Sequence, residues 1–382
     1  MNSNIKKLTI FTLLLISMTT SMSNVAIVTA LPHLKEYFTD IKNIEFYSRL
    51  MLTLPSLVIA VLAPILGHII FRFGKKRSAV IALFVFALSG STGLYLDSLE
   101  MLLASRAVFG VCIATLMIVS TSLVGDYFKE QSRHKFMGYQ SAFMAIGGVV
   151  FVSGGGFLSD ISWRYSFGIY LIGFLLLPLV ITQIKEIKIT EFKEDETPVS
   201  SKMYFIYILA FCYMLIFFIL PTQIPFLLIE EFGASGKFAG SIIASAFLSN
   251  ALGAITFAKL KNKYSYSSIF LLATVIIAIG FTGVGLVHNT YYFFFTAPLL
   301  GFGGGIMMTN LTAWMLSRTT MKKRVKTSGY FTSALFLGQF SSPLVFHGLV
   351  SFLGVQDFFF FIGISLFFIV SITILAMRLQ RV

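Results

Sequence analysis

The chain has 382 residues, of which 57% are apolar, 15% aromatic with 42 phenylalanines, and only 12% charged. So little charge excludes a soluble domain of this size. The net charge of +13 would suit a nucleic-acid binder only if it were gathered into one patch. It is scattered over short segments instead, so nucleic acid is set aside as a partner.

About twenty helical residues cross the ~30 Å hydrocarbon core of a bilayer. A window of that length finds twelve apolar stretches, at 8–30, 48–71, 78–96, 99–125, 136–159, 165–184, 203–228, 237–258, 266–287, 291–316, 328–352 and 357–377. Helix is predicted for all of them, because backbone polar groups have no water partner in lipid. The first stretch is too long for the apolar core of a signal peptide and runs through Asn24 into ALPHL without a cleavage pattern, so a retained helix is expected. With the amino terminus inside, 23 of the 29 lysines and arginines face the cytoplasm. Five face outward (Lys35, Lys42, Arg49, Arg164 and Lys237), and Arg106 alone lies well inside a stretch. This bias predicts a multi-pass membrane protein with both termini cytoplasmic, and the usage rich in lysine, isoleucine and phenylalanine points to a bacterial cytoplasmic membrane.

Arg106, in the fourth stretch, sits roughly 10 Å in from the outer end. An arginine at such depth needs a cavity or a partner. Two readings stand: it faces a central cavity and takes part in proton or substrate coupling, or it binds backbone carbonyls and snorkels outward. All 16 carboxylates fall outside the stretches or at their edges. Coupling could therefore run through edge groups such as Glu230, Glu231 or Asp357, or a net positive cavity could take an anionic ligand that carries its own proton. Cys112 and Cys212 lie inside stretches, without metal-ligand spacing, and are expected as apolar fillers. No histidine pair has metal-ligand spacing either, so neither a metal nor another cofactor is expected.

Residues 185–202 form the only long, strongly charged connection and divide the chain into six stretches before and six after. The predicted domains are 1–184, a cytoplasmic linker at 185–202, and 203–382. The halves echo one another: Arg133, Lys135, Gly138 and Tyr139 return as Arg324, Lys326, Gly329 and Tyr330, and GHIIFRFGKKR is shadowed by GAITFAKLKNK. Such duplication predicts two related six-helix bundles around a central cavity. In the seventh stretch Pro221 and Pro225 bracket Gln223. Two prolines four apart remove two amide donors and should break that helix, which makes Gln223 the leading second-half candidate for ligand contact. Asn24, Gln140, Asn250, Asn310, Trp314 and Gln339 are the other polar candidates, each equally open to a helix–helix hydrogen bond.

Several of these segments carry a family pattern. Gly67, Arg72, Gly74, Lys75 and Lys76 resemble the G-x-x-x-D-R-x-G-R-[KR] loop of the major facilitator superfamily, with Phe71 in place of its acid. Arg106-x-x-x-Gly110, the run Asp126–Arg133–Gly138, the segment GGVVFVSGGGFLSDISWRYSFGIY and the ALP at 30–32 are similar to segments of its twelve-helix drug and metabolite exporters. The Gly-Pro pair of the antiporter signature is absent from the fifth stretch.

The resemblance implies an all-α membrane protein, twelve transmembrane helices in two pseudo-symmetric six-helix bundles, the major facilitator fold. It further implies a non-enzymatic secondary transporter working by alternating access. The expected activity is export of a small amphipathic or anionic compound, with protons as the candidate coupling ion; the alternative is an uncoupled facilitator or an importer. A membrane enzyme would want converging His, Asp and Glu residues, which the carboxylate positions deny. The expected partners are a small-molecule substrate and the lipid bilayer, with the monomer as the functional unit. Gly67, Arg72, Gly74, Lys75, Asp126 and Arg133 are the expected gating set, with Gly67 admitting a close helix and Arg72 reaching Asp126.

Overall fold

A computed structural model describes residues 6–22, 25–128, 130–186, 201–319 and 324–379. Among them there is no strand. Eleven helical segments are long and apolar enough to cross a membrane. The first half contains α1 (Lys7–Met22), α2 (Leu31–Tyr37), α3 (Ile44–Phe73), α4 (Lys75–Gly90), α5 (Leu99–Tyr127), α6 (Glu130–Ile161) and α7 (Ile172–Gln183). The second contains α8 (Ser201–Phe217), α9 (Ile219–Phe226), α10 (Gly236–Lys261), α11 (Tyr266–Leu286), α12 (Phe293–Ser317), α13 (Arg324–Leu353) and α14 (Val355–Leu379). Leu175, Phe295, Phe352 and Phe368 stand exposed on these helices. Large apolar side chains facing out all round a bundle mark a lipid-facing surface.

The third stretch ends and the tenth opens in a 3-10 turn (Ser91–Leu94 and Thr290–Tyr292), and the first, sixth and seventh are interrupted. The first is not one helix over 8–30: α1 ends at Met22, a turn and a short 3-10 segment (Val28–Ala30) follow, and α2 starts with Pro32 in its first turn. The sixth opens with a 3-10 segment, Tyr165–Leu171, before α7. The seventh breaks at Phe218, where the sequence predicts a break. Pro221 has no amide to offer the Phe217 carbonyl, so the α-helical ladder cannot run through. The Thr222 hydroxyl donates to the Phe218 carbonyl at 2.7 Å, and a π-helical turn (Leu227–Glu231) ends the segment.

The helix pairings repeat. In the first half α1 packs on α6, α3 on α5, and α4 on both α5 and α7; in the second half α8 packs on α13, α10 on α12, and α11 on both α12 and α14. Each pairing is the other shifted by six spans, the spatial form of the sequence echo. Between the halves run two equivalent seams, α6 against α10 and α3 against α13. Small residues bring the backbones together: a Cβ on Gly110 would meet the Pro55 carbonyl oxygen at 2.8 Å, and Gly301 and Gly305 lie directly beneath the carbonyls of Ala246 and Asn250. One end of the molecule carries the basic connections (Lys75, Lys185, Lys261) and is called the basic face. The other carries Glu45, Asp97, Asp160, Glu230 and Asp357 and is called the acidic face.

Candidate functional site

Arg106 is 1% exposed on α5. Its Nη2 donates to the carbonyls of Ser89 and Gly90, each at 2.7 Å. The guanidinium carbon lies 4.6, 5.2 and 5.3 Å from the ring centroids of Phe109, Phe167 and Tyr170. Here α4 gives way at Gly90 to a 3-10 segment (Ser91–Leu94), the α-helical ladder stops, and Arg106 adds a donor to its last carbonyls. Apart from Phe109, on its own helix, the partners belong to α4 and to residues 165–171, within the first half. This corrects the reading in which Arg106 faces a central cavity and matches the carbonyl-bound alternative.

Other polar candidates are also held by helix-to-helix bonds. Gln140 Nε2 donates to Ser17 Oγ at 2.8 Å, and Ser17 Oγ lies 2.8 Å from Ser120 Oγ, which ties α1, α5 and α6. Asn310 Nδ2 donates to the Tyr266 carbonyl at 3.0 Å. Trp314 stacks on Tyr266, centroids 6.0 Å apart and planes within 6°, so Asn310 and Trp314 join α12 to the start of α11 at the basic face. Asn250 is half-buried with its amide beside Gly304. Gln339 is buried on α13. Gln223 is 1% exposed on the proline-broken α9, and its Oε1 has no hydrogen-bond partner. Since α9 touches α2 and the 28–30 segment of the first half, Gln223 sits on an element of the junction between halves. Asn24 lies outside the described residues.

At the basic face the expected contact is rearranged. Arg72 is exposed, and the partner of Asp126 is Lys75, Nζ to Oδ2 at 2.5 Å, with both side chains largely buried (5% and 13% exposed). Gly74 explains the exchange. Its φ of +93° ends α3 and restarts the chain as α4, a conformation glycine adopts without strain. Arg72 is left on the last exposed turn while Lys75 turns inward. Glu186, from the start of the linker, accepts hydrogen bonds from the Lys75 and Lys76 amides at 2.7 and 2.8 Å, a carboxylate on the positive end of α4. Lys185 is pinned beside it, its amide and carbonyl both bonded to the Tyr127 hydroxyl at 2.8 Å. Gly67 does not admit a close neighbour: a Cβ there would meet nothing within 4 Å. The side chain of Arg133 lies outside the described residues. Asp126→Asn leaves a mostly buried ammonium unpaired and is expected to cost about 3 kcal/mol. A lowered melting temperature in detergent checks this, and the exchange Lys75→Asp with Asp126→Lys should recover most of the loss.

The acidic face holds what the sequence reading missed. Lys35 on α2 donates to Glu45 of its own half at 2.7 Å and to Glu230 of the other half at 3.1 Å. Its ammonium is held above the usual lysine range by the bond to Glu45 first, against some desolvation, and then by Glu230. Arg49, counted as an outer connection in the sequence, is 1% exposed one turn into α3. Its guanidinium carbon lies 4.4 Å from the Phe226 ring centroid of the second half, and Glu45 is 3.6 Å away. The signal was available: Glu45 and Arg49 are spaced i, i+4, which a charged pair on one helix uses. Nearby, Asp160 at the end of α6 accepts from the Gly236 and Lys237 amides that open α10. A hollow of about 320 Å³ opens between the halves, lined by Lys35, Asn43, Ile44, Glu45, His347 and Ser351. Asp97, on the same face, is held below the usual carboxylate range by the Tyr37 hydroxyl first and by Arg164.

Among the described residues, side-chain bonds between the halves gather at the acidic face (Lys35–Glu230 and Asp160 to α10) and at mid-depth, where Ser333 donates to the Ala60 carbonyl at 3.0 Å. The described side-chain bonds at the basic face stay within one half, Lys75–Asp126, Glu186 and Tyr127 in the first and Asn310–Tyr266 in the second. Two helix halves in repeated pairing, tied at one end, find their counterpart in known proteins. A sequence profile of the Major Facilitator Superfamily matches residues 13–203 and 206–381. The chain belongs to that superfamily. Its members are membrane transporters, not enzymes.

The tetracycline resistance protein, class B, of Escherichia coli is 25% identical over 91% of this chain and 88% of its own length. The multi-drug resistance efflux pump PmrA homolog of Lactococcus lactis is 24% identical over 86% of this chain and 84% of its own. Multidrug resistance protein 1 of Bacillus subtilis is 31% identical over 32% of this chain, and the match spans only 31% of that protein. Among solved structures, a bacterial homolog of the human lysosomal transporter Spinster superposes with a TM-score of 0.79 at 15% identity, covering 97% of this chain and 96% of that one. The D-xylose-proton symporter gives 0.69 at 15% identity, covering 94% and 96%. At such identity these neighbours establish the major facilitator fold alone.

Proposed function

We propose that this multi-pass membrane protein is a secondary active exporter of a small amphipathic or anionic compound, working by alternating access and driven by protons. The observation that carries the reading is the tie between the halves at the acidic face, where Lys35 pairs with Glu230, Asp160 accepts from the amides that open α10, and Gly156 of α6 lies against Gly236 and Gly240 of α10. Breaking the first set and making a second at the other end exchanges the two forms, a rigid-body switch between packed bundles. The positive-inside bias puts the basic face in the cytoplasm of a bacterial cell, with both termini there, so the end tied in this form is the outer one. The tetracycline and multidrug pumps among the relatives support export of an amphipathic cargo. The chain is expected to act as a monomer and without a cofactor.

Proton drive is energetically sufficient, since one charge moving across 100 mV yields ~2.3 kcal/mol, about a fifty-fold gradient. Glu230, Glu231 and Asp357, at the acidic face, are the candidate proton acceptors; an uncoupled facilitator is the alternative if none of them titrates in the cycle. In proteoliposomes, tetracycline flux is expected to rise severalfold under an imposed pH gradient and to return to the basal rate when the gradient is collapsed. Flux indifferent to the gradient would establish the facilitator, and no flux of tetracycline or of an amphipathic dye would remove the proposed cargo class.

A further inference from the structure

Arg49 is buried at the junction without a hydrogen bond. Its Nε, Nη1 and Nη2 all lack partners, although a guanidinium brings five donors to wherever it is placed. Glu45, its nearest carboxylate, stands at 3.6 Å, beyond hydrogen-bond reach, and its other oxygen is held by Lys35 at 2.7 Å. The second half answers with the phenyl ring of Phe226, carried on the same broken helix as Gln223, whose Oε1 is likewise unpartnered. The charged groups around the guanidinium are Glu45 on its own helix, Lys35 on α2 and Glu230 on the second half. Without Arg49 they carry a net charge of −1, so its charge is balanced from a distance while none of its donors is met by a hydrogen bond. A ring face and distant carboxylates return only part of what removing a guanidinium from water costs.

That cost belongs to one state only. Phe226 and Glu230 ride on the second half, whereas Arg49, Lys35 and Glu45 ride on the first. When the acidic face opens, the ring withdraws and water reaches the arginine. The Lys35–Glu230 bridge works in the opposite direction, because it is made only in the closed form. We propose that Arg49 is a transport residue acting as a counterweight: its dehydrated, unbonded charge raises the free energy of the closed acidic face and keeps the closed and open forms interconvertible. The proposal rests on the alternating-access reading. Locally stored strain that biases a two-state element is a recognised device, and here the strained group is a single side chain on the moving junction.

The test reads gate balance directly, without cargo or gradient. Spin labels at Lys42→Cys and Lys237→Cys, exposed positions of the first and second halves at the acidic face, are placed in a Cys212→Ser background, with buried Cys112 left in place. Their distance distribution by pulsed electron resonance gives the closed-to-open ratio. Arg49→Met, apolar and of similar length, is expected to raise that ratio about tenfold, equivalent to about 1.4 kcal/mol, and to raise the melting temperature. Lys35→Gln should lower the ratio, and Arg49→Lys, which keeps the charge, should stay near the parent. An unchanged ratio in Arg49→Met, a shift toward open, or failure of that variant to accumulate in the membrane would each overturn the proposal. Absence of tetracycline flux in the parent, with the ratio still moving as described, would defeat the export reading and leave the counterweight standing.

Discussion

Replacing Gly156 with leucine is expected to abolish transport while leaving the protein folded and in the membrane. Gly156 on α6 faces Gly236 and Gly240 on α10, so three glycines make the seam between the halves. A Cβ on Gly156 would meet the Gly236 carbonyl oxygen inside van der Waals distance and the Gly240 Cα at 3.3 Å; one on Gly240 would meet the Val152 carbonyl oxygen at 2.8 Å. These neighbours are backbone, with no flexible side-chain end to turn aside. The clash can be relieved only by parting the helices at the acidic face. Overpacking of this kind costs about 1–3 kcal/mol in a core that cannot yield. Here the penalty falls on the closed form alone, which moves the equilibrium about fivefold to more than a hundredfold toward an open acidic face. A carrier held in one form does not turn over.

Packing within each half is untouched, so yield and helical content should stay near the parent's, and the Lys42–Lys237 label distance should lengthen. Gly305→Leu makes the useful contrast, because its clash with the Asn250 carbonyl lies inside the second half and should lower folded yield. Wild-type flux from Gly156→Leu would show that the α6–α10 seam does not close during transport.

The helical content, the repeat and the family pattern were legible because they rest on quantities that a sequence carries directly: side-chain hydropathy over a known thickness, and residue types at fixed offsets. The break at Phe218 was legible for the same reason, since a proline removes a donor wherever it stands. What escaped depends on direction rather than depth. Hydropathy places Arg106 within a span but does not say which way it points. That is decided by α4 ending at Gly90, which leaves carbonyls for a guanidinium to satisfy. Arg49 was assigned to a connection because it stands at the very edge of the apolar window, which opens at residue 48, whereas α3 begins four residues earlier, at Ile44, and carries the arginine under Phe226. The loop motif suggested Arg72 for Asp126, but the left-handed turn at Gly74 rotates the chain so that Lys75 arrives instead. Glu186 could not be foreseen from any local pattern, because it caps a helix more than a hundred residues away. The interruption after Met22 escaped for a related reason, since a window of side-chain hydropathy does not register whether backbone amides continue the ladder.

Arg106→Ala is expected to act chiefly on stability. Its removal takes a charged donor from the carbonyls of Ser89 and Gly90 in a membrane-embedded site and opens a cavity among Phe109, Phe167 and Tyr170, a loss of about 3 kcal/mol. Reduced yield and a lower melting temperature should accompany any fall in flux. Arg106→Lys separates the two roles. A lysine can donate to these carbonyls from the same helix but lacks the planar fork that stacks among the rings, so partial recovery of melting temperature is expected. If the arginine only holds the end of α4 to α5, the flux that remains in Arg106→Lys should keep the parent's dependence on the pH gradient. A variant with parental stability and flux no longer responsive to the gradient would return Arg106 to the coupling path. The carbonyl contacts argue against that outcome, because a guanidinium engaged at 2.7 Å with two backbone oxygens and enclosed by three rings must give up those bonds before it can answer a proton or a passing anion.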